Sequence, residues 1–244
     1  MNNIAVIIPY RNQEGQNREY EKSIFIPHMI QMFELLKTNK DIDDYHLYII
    51  EQNQSWKKFN RGLLLNIGVS VSDTKYSTII LHDIDLLPQE DIYEWYAFQT
   101  KKHPIHIAAC WDRYGSDKKY FGGVVSFNRD IFTSINGFSN TFWGWGGEDN
   151  TLLDRCKLFN LYPKKVKQGT LLDIETNEKG ETMDLQKKLD YLRRHKYWKC
   201  NNRWEQRDND KWTWKTNGLN QVSQLCTIQS INHEPHVTHY RVSI

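Results

Sequence analysis

The sequence predicts an α/β fold that opens as a Rossmann-like, doubly wound unit with a mixed central sheet. Two observations carry this reading. Short β-branched runs at residues 4–8, 47–50 and 78–81 alternate with stretches of helical periodicity, and charged residues gather directly after the runs. Ile4, Ala5, Val6, Ile7 and Ile8, ended by Pro9, form a run of buried-strand length. Over residues 20–37, Ile26, Met29, Ile30, Phe33 and Leu36 recur three or four apart, the spacing of one helix face. Leu47 to Ile50 gives a second strand, residues 59–72 a second helix, and Thr78 to Leu81 a third strand. In such sheets ligands bind at the carboxyl ends of the strands, which is where Asp83-Ile84-Asp85 falls. The second half is less regular. Strands are expected at 105–110 and 123–127, and a helix from Asp149, whose acidic start suits the helix dipole. A charged helix is expected at 183–198 with Leu185, Leu189 and Leu192 on one side.

The 244 residues suffice for one large domain, and no Pro-, Ser- or Gly-rich linker divides them. A composition of 39% hydrophobic, 25% charged and 13% aromatic residues fits a soluble globular protein with aromatic binding surfaces. Mean hydropathy is −0.71. With 32 basic and 30 acidic residues the formal charge is +2, so no global field draws the chain to nucleic acid or membrane. No apolar run reaches the roughly 18 residues of a spanning helix. Residues 1–3 lead straight into the first strand, and a cytoplasmic chain without signal peptide or anchor is expected. Cys110, Cys156, Cys200 and Cys226 show no CxxC spacing, which points to reduced thiols rather than a zinc or redox motif.

Chemistry concentrates in Phe142-Trp143-Gly144-Trp145-Gly146-Gly147-Glu148-Asp149-Asn150. An indole offers a flat apolar face to a sugar ring, glycines let backbone approach a ligand, and a carboxylate can take a hydroxyl proton. Asp83-Ile84-Asp85 alone is a common turn sequence. Its strand-end position makes it a candidate for holding a divalent cation against a leaving diphosphate. Arg11 after the first strand and Arg61 at the second helix start are candidates to face the same crevice.

Several strings then match one family in order: Ile7-Ile8-Pro9-Tyr10-Arg11-Asn12, the segment from Phe59-Asn60-Arg61 to Gly68, Asp83-Ile84-Asp85-Leu86, Tyr120-Phe121-Gly122-Gly123-Val124, Ile135-Asn136-Gly137-Phe138 and Phe142 to Asp149. From about residue 4 to 160 the chain resembles the β-1,4-galactosyltransferases, the inverting GT-A glycosyltransferases of family 7, with a fainter echo in Asn217-Gly218-Leu219-Asn220. The resemblance implies one GT-A domain over residues 1–244. About 1–104 would form the nucleotide-sugar half, and about 105–244 the acceptor half with a C-terminal extension.

It also implies roles. Pro9, Tyr10, Arg11, Phe59 and Arg61 would surround the uridine and diphosphate of a UDP-sugar, Asp83 would lie near the ribose and donor sugar, and Asp85 would bind the metal, usually manganese. Arg113 stands where the family has a lysine near the diphosphate. Tyr120 and Gly123 would help form the donor-sugar pocket, Tyr120 crowding an N-acetyl group and so favouring galactose. Trp145 would sit on a mobile loop; Glu148 and Asp149 would contact donor and acceptor hydroxyls, with Asp149 the general base. The implied reaction moves galactose from UDP-galactose to a glycan or glycoconjugate hydroxyl with inversion to a β linkage. UDP-GalNAc and UDP-glucose are the alternative donors, and a non-catalytic carbohydrate-binding protein on a decayed fold is the reading from a different class.

The chain departs from the family at the metal. Relatives complete that site with a histidine, often with a methionine, yet none occurs here between His106 and His195. Asp173 or Glu175 could substitute as oxygen ligands, turning preference toward a harder ion such as Mg²⁺, or His195, His233, His236 or His239 could reach in. Residues 175–215, with Trp198, Trp204, Trp212 and Trp214, have no clear family counterpart. They are expected to form an acceptor-binding or lid element, or simply to bury their indoles.

Overall fold

Alternate residues of β1 (Asn3–Tyr10) feed two separate apolar layers, which is why the strand is apolar along its whole length. Ile4, Val6, Ile8 and Tyr10 pack with α1 (Arg18–Thr38) through Phe25, Met29, Phe33 and Leu36. Ala5 and Ile7 point the other way, into the layer of α2 (Arg61–Val71). The computed structural model describes residues 2–114 and 120–244.

The other elements are β2 (Asp44–Gln52), β3 (Thr78–His82), β4 (Leu86–Pro88), α3 (Tyr93–Ala97), β5 (Ile105–His106), β6 (Val124–Asn128), α4 (Arg129–Ser134), α5 (Glu148–Leu158), β7 (Lys164–Lys165), β8 (Leu171–Asp173), α6 (Leu185–Arg194), α7 (Arg203–Thr213), α8 (Val222–Leu225), β9 (Thr227–Glu234) and β10 (Val237–Ser243). The main sheet runs β7-β5-β6-β3-β1-β2-β10-β9. β1 is parallel to both β2 and β3, while β6 is antiparallel to β3, so the sheet is mixed as expected. The C-terminal hairpin returns to add β10 in parallel beside β2.

Two expected elements are shorter than the sequence pattern suggests. The strand placed at 105–110 spans only Ile105–His106, because residues 107–110 tighten into a 3-10 turn. The helix placed at 183–198 is Leu185–Arg194, begun by Asp184, whose side chain accepts from Lys187 N–H at 2.8 Å, and followed by a 3-10 turn. A second, two-stranded ladder pairs β4 with β8 in the register Leu86↔Asp173, Leu87↔Leu172 and Pro88↔Leu171. It carries residues 173–175 to the carboxyl end of β3, beside Asp85, whose carbonyl accepts from Ile174 N–H at 2.8 Å. The four cysteines are free thiols. No helix among the described residues is long and apolar enough to cross a membrane.

Candidate active site

One pocket opens where β1 and β3 end and α2 and α5 begin, and its wall is built from distant parts of the chain. Pro9, Arg11, Phe59, Arg61, Asp83, Asp85, Arg113, Tyr120, Gly123, Trp145, Glu148, Asp149 and Glu175 all line it. Asp173 stands just behind, ion-paired to Arg113.

Tyr10 does not reach the pocket. Strand parity puts it with Ile4, Val6 and Ile8 on the α1 side, where its ring is 1% exposed and its hydroxyl donates to Glu19. The histidines proposed as substitute ligands do not line the pocket either. His195 ends α6 stacked on Tyr191, with ring centres 4.4 Å apart, and His236 stacks on Tyr45 at 4.8 Å. His239 meets Glu51 at 2.8 Å, and His233 lies 3.1 Å from the Thr238 hydroxyl in the terminal hairpin.

Arg61 is placed by the helix it begins. Asn60 caps α2 by accepting from Leu63 N–H at 3.0 Å, and its amide ties back to Asn140 O at 2.8 Å. From that fixed start Arg61 bridges two acids, with Nε 2.7 Å from Asp83 Oδ1 and Nη1 2.8 Å from Asp149 Oδ1. It is therefore a strut between two carboxylates on the wall of the pocket. The strut does not fully offset the crowding of charge. Burial pushes the Asp149 carboxyl up; Arg61 opposes this, Glu148 and Asp83 add to it, and the result is about 8.

Asp149 and Glu148 open α5, after Gly147 at φ 107°, a left-handed conformation that side-chain-bearing residues rarely adopt. The Asp149 carboxylate then sits over Gly122, where an added Cβ would overlap its Oδ2. Glu148 is buried, and its enclosed Oε2 has no hydrogen-bond partner among the described residues. The Trp145 backbone is sewn to the C-terminal half: its N–H donates to Trp198 O at 2.8 Å, and its carbonyl accepts from Cys200 N–H at 3.1 Å. Gly144 N–H donates to Phe59 O at 2.8 Å. Of the tryptophans expected to bind or close, Trp198 lines the pocket. Trp204 borders a second cavity that shares Trp145 and Asp149, Trp214 packs edge-on against Phe159, and Trp212 is 86% exposed.

The other end of the pocket is a lattice of ion pairs. Arg18, the first residue of α1, puts Nη1 2.7 Å from Asp85 Oδ2 and 2.6 Å from Glu21 Oε2, with Nη2 3.5 Å from Glu175 Oε1. Arg113 Nη1 lies 2.7 Å from Glu175 Oε2 and 3.1 Å from Asp173 Oδ2, and Lys188 pairs with Glu175 Oε1. Burial alone would raise the Asp85 carboxyl, but Arg18, with Lys188 and Arg113 beyond it, outweighs burial and holds it at about 2. Glu21, buried behind Arg18, is pushed up to about 7, and Asp173 to about 6, in both cases chiefly by burial. Arg11 differs from these bases. It is 4% exposed, and its hydrogen-bond partners among the described residues are neutral oxygens: Gln13 Oε1 at 2.7 Å and Lys57 O at 2.9 Å. Burial draws its guanidinium down to about 10, with no carboxylate in ion-pair contact among the described residues to oppose it.

Sequence reasoning missed Arg18, Lys188 and the seat at Gly122. Arg18 left one signal, for a cation in the first turn of a helix opposes the dipole unless acids surround it. Lys188 left none, because its partner Glu175 lies 13 residues away in a different element.

Residues 1–97 match a family described as the N-terminal region of glycosyl transferase group 7, and residues 102–176 one described as the N-terminal domain of galactosyltransferase. The chain is 31% identical over 244 residues to β-1,4-galactosyltransferase 4 of Mus musculus, covering 95% of this chain and 60% of that protein. It is 34% identical over 203 residues to β-1,4-galactosyltransferase 6 of Homo sapiens, covering 80% of this chain and 50% of that one. The chain thus spans between half and about 60% of the length of these relatives. Among solved structures, the catalytic domain of Drosophila β-1,4-galactosyltransferase 7 in complex with xylobiose superposes with a TM-score of 0.76 at 24% identity, covering 100% of this chain and 94% of that one. A variant of the same fly enzyme, in complex with manganese, UDP-Gal and xylobiose, gives 0.77. The fold is therefore GT-A.

Proposed function

The chain belongs to the β-1,4-galactosyltransferase family, and from that membership we propose that it transfers a hexose, galactose from UDP-galactose, to a glycan hydroxyl with inversion to a β linkage. The observation that carries the reading is one pocket that brings the carboxylate pair Asp149 and Glu148 together with the strand-end Asp85 and the basic residues Arg11 and Arg113. On this reading residues of about 1–104 form most of the donor half, and the acceptor approaches across Asp149.

The acceptor oxygen attacks C1 of the donor sugar from the face opposite the diphosphate. The O–C1 bond forms as the C1–O bond to the β-phosphate breaks; its electron pair leaves on the diphosphate oxygen, and the acceptor proton passes to Asp149. No covalent nucleophile is needed. Arg61 orients the base. Tyr120 packs against Tyr114 with ring centres 4.3 Å apart and against His106 at 5.2 Å, forming a firm wall that disfavours an N-acetyl group on the donor.

A divalent cation, Mn²⁺ or Mg²⁺, would supply Lewis-acid stabilisation of the departing diphosphate, and Asp85 is the residue that would hold it. The rest of the donor set fits a closed metal site poorly. Glu175 has both oxygens on basic side chains, and Asp173 has Oδ2 on Arg113 and Oδ1 on the Glu175 N–H. Among the described residues no group of three metal-ligating side chains is assembled.

The test is a transfer and donor-hydrolysis screen across UDP-galactose, UDP-glucose and UDP-GalNAc with glycan acceptors. Turnover with UDP-galactose is the expected result. Silence with that donor while another works would overturn the donor assignment.

A further inference from the structure

The carboxylates around Asp85 are gathered on one guanidinium. Arg18 Nη1 lies 2.7 Å from Asp85 Oδ2 and 2.6 Å from Glu21 Oε2, and Nη2 lies 3.5 Å from Glu175 Oε1. These acids come from the turn after β3, from α1 and from the segment after β8, so a single cation ties three parts of the chain together. Carboxylate oxygens are also what a hard divalent ion takes as ligands. With the guanidinium among them, no group of three metal-ligating side chains is assembled in the described residues.

Arg18 is fixed in that place by its backbone. Its N–H donates to Asn12 Oδ1 at 3.1 Å, and the preceding Asn17 N–H donates to Thr176 O at 3.2 Å. Glu21 is locked from its other oxygen, which accepts from Thr176 N–H at 3.0 Å. The Arg18 side chain is 15% exposed and lines the pocket, whereas that of Glu21 is 0% exposed and does not, so an ion entering from the pocket meets the guanidinium first. The charges agree with this order. Asp85, Glu21, Glu175 and Asp173 stand against Arg18, Arg113 and Lys188, which leaves one formal negative charge; without Arg18 there would be two, enough to match a divalent ion.

We infer that Arg18 is the resident cation of the Asp85 site, its guanidinium holding on Asp85, Glu21 and Glu175 the place that a divalent ion would take, so that ion and side chain compete for the same carboxylates. An ion that reaches Asp85 has to displace Arg18, and displacement breaks partly buried ion pairs. The free chain therefore binds Mn²⁺ weakly. Arg18 touches no reacting atom and is a positioning residue. The inference goes beyond the transfer reading, since it would hold whatever sugar the donor carries.

The experiment titrates Mn²⁺ into the full chain without nucleotide and reads the free ion by electron paramagnetic resonance. Arg18→Met, which keeps the packing stem and removes the charge, is expected to bind Mn²⁺ about tenfold or more tighter than wild type. The same ion should raise the Tm of Arg18→Met and leave that of wild type in place, because it replaces a counter-charge that only the variant has lost. Adding Asp85→Asn to Arg18→Met should abolish both gains, which locates the ion. Arg18→Lys keeps a charge but not the fork that spans three carboxylates, and is expected to fall between the two; it carries the test if Arg18→Met does not fold. Equal Mn²⁺ affinity in wild type and the Arg18 variants would overturn the inference. So would tight binding by wild type, with a Kd of about 10 μM or below, that Asp85→Asn removes. Neither result touches the donor assignment, which the UDP-sugar screen decides separately.

Discussion

Nη1 of Arg61 lies 2.8 Å from Oδ1 of Asp149, so the acid proposed as the base is also the acid held by a guanidinium. On its own the contact would make Asp149 a poor base. Burial and the neighbouring Glu148 and Asp83 overturn that effect and bring the carboxyl up to about 8, close to working pH. Arg61 therefore aims the carboxylate while its neighbours keep it basic.

Replacing Asp149 with Asn removes the proton acceptor but keeps the shape. Turnover is expected to fall by about 10²–10⁴-fold with UDP affinity nearly unchanged. Parallel steady-state kinetics and UDP titration check this, and full turnover in the variant would remove Asp149 as the base.

The pH dependence follows from the sign of the shift. A base must be ionised, and the Asp149 carboxyl loses its proton only as pH rises through about 8, so kcat/KM should climb with pH and level off above that value. Because Glu148 contributes to the upward push, Glu148→Gln is expected to move the midpoint of the limb to lower pH. A pH–rate profile of both proteins decides this; a limb that stays in place would separate the titration from Asp149.

Gly122→Ala tests the seat of the base. The new methyl would overlap Asp149 Oδ2 and displace the carboxylate. Since a shift of about 1 Å at a reacting group can cost on the order of 10²-fold, kcat should drop by about that factor with little change in thermal stability. Unimpaired kcat would show that Asp149 can act from elsewhere.

Stability of the C-terminal segment should rest on Arg155 of α5. It meets Asp210 of α7 in a two-pronged pair at 2.8 and 2.6 Å, with side chains 2% and 4% exposed, and also donates to the carbonyls of Asn136, Gly137 and Asn217. Asp210→Ala leaves that guanidinium buried and short of its counter-ion, with an expected loss of about 3–5 kcal/mol. Urea unfolding measures it, and a loss below about 1 kcal/mol would mean that the carbonyls alone suffice.

The parts legible in the sequence were those encoded by local period and contiguous strings. The helix expected at 20–37 is Arg18–Thr38, the strands at 4–8, 47–50 and 78–81 lie within longer observed strands, and the acids at 148 and 149 do open a helix on the pocket. Tyr10 was misplaced because proximity to a motif says nothing of parity, and the strand's alternation sends its ring to the core. The Arg18–Asp85 pair spans 67 residues, and the Arg61–Asp149 strut 88. Such pairs are set by which strands lie side by side, a property that no window of neighbouring residues contains.

The three-rung ladder of β4 and β8 fixes how Asp85 faces Glu175. Between its strands the chain makes a long excursion that itself carries β6 and α5, so only length changes in its connecting loops leave the two acids and the pocket in place. Within the rungs a single-residue slip would turn Asp173 to the opposite face and carry Glu175 out of step with Arg113. Length variation in a lineage of such proteins should therefore fall in the connecting loops of the excursion and spare the rungs, even where the residues of the rungs themselves change.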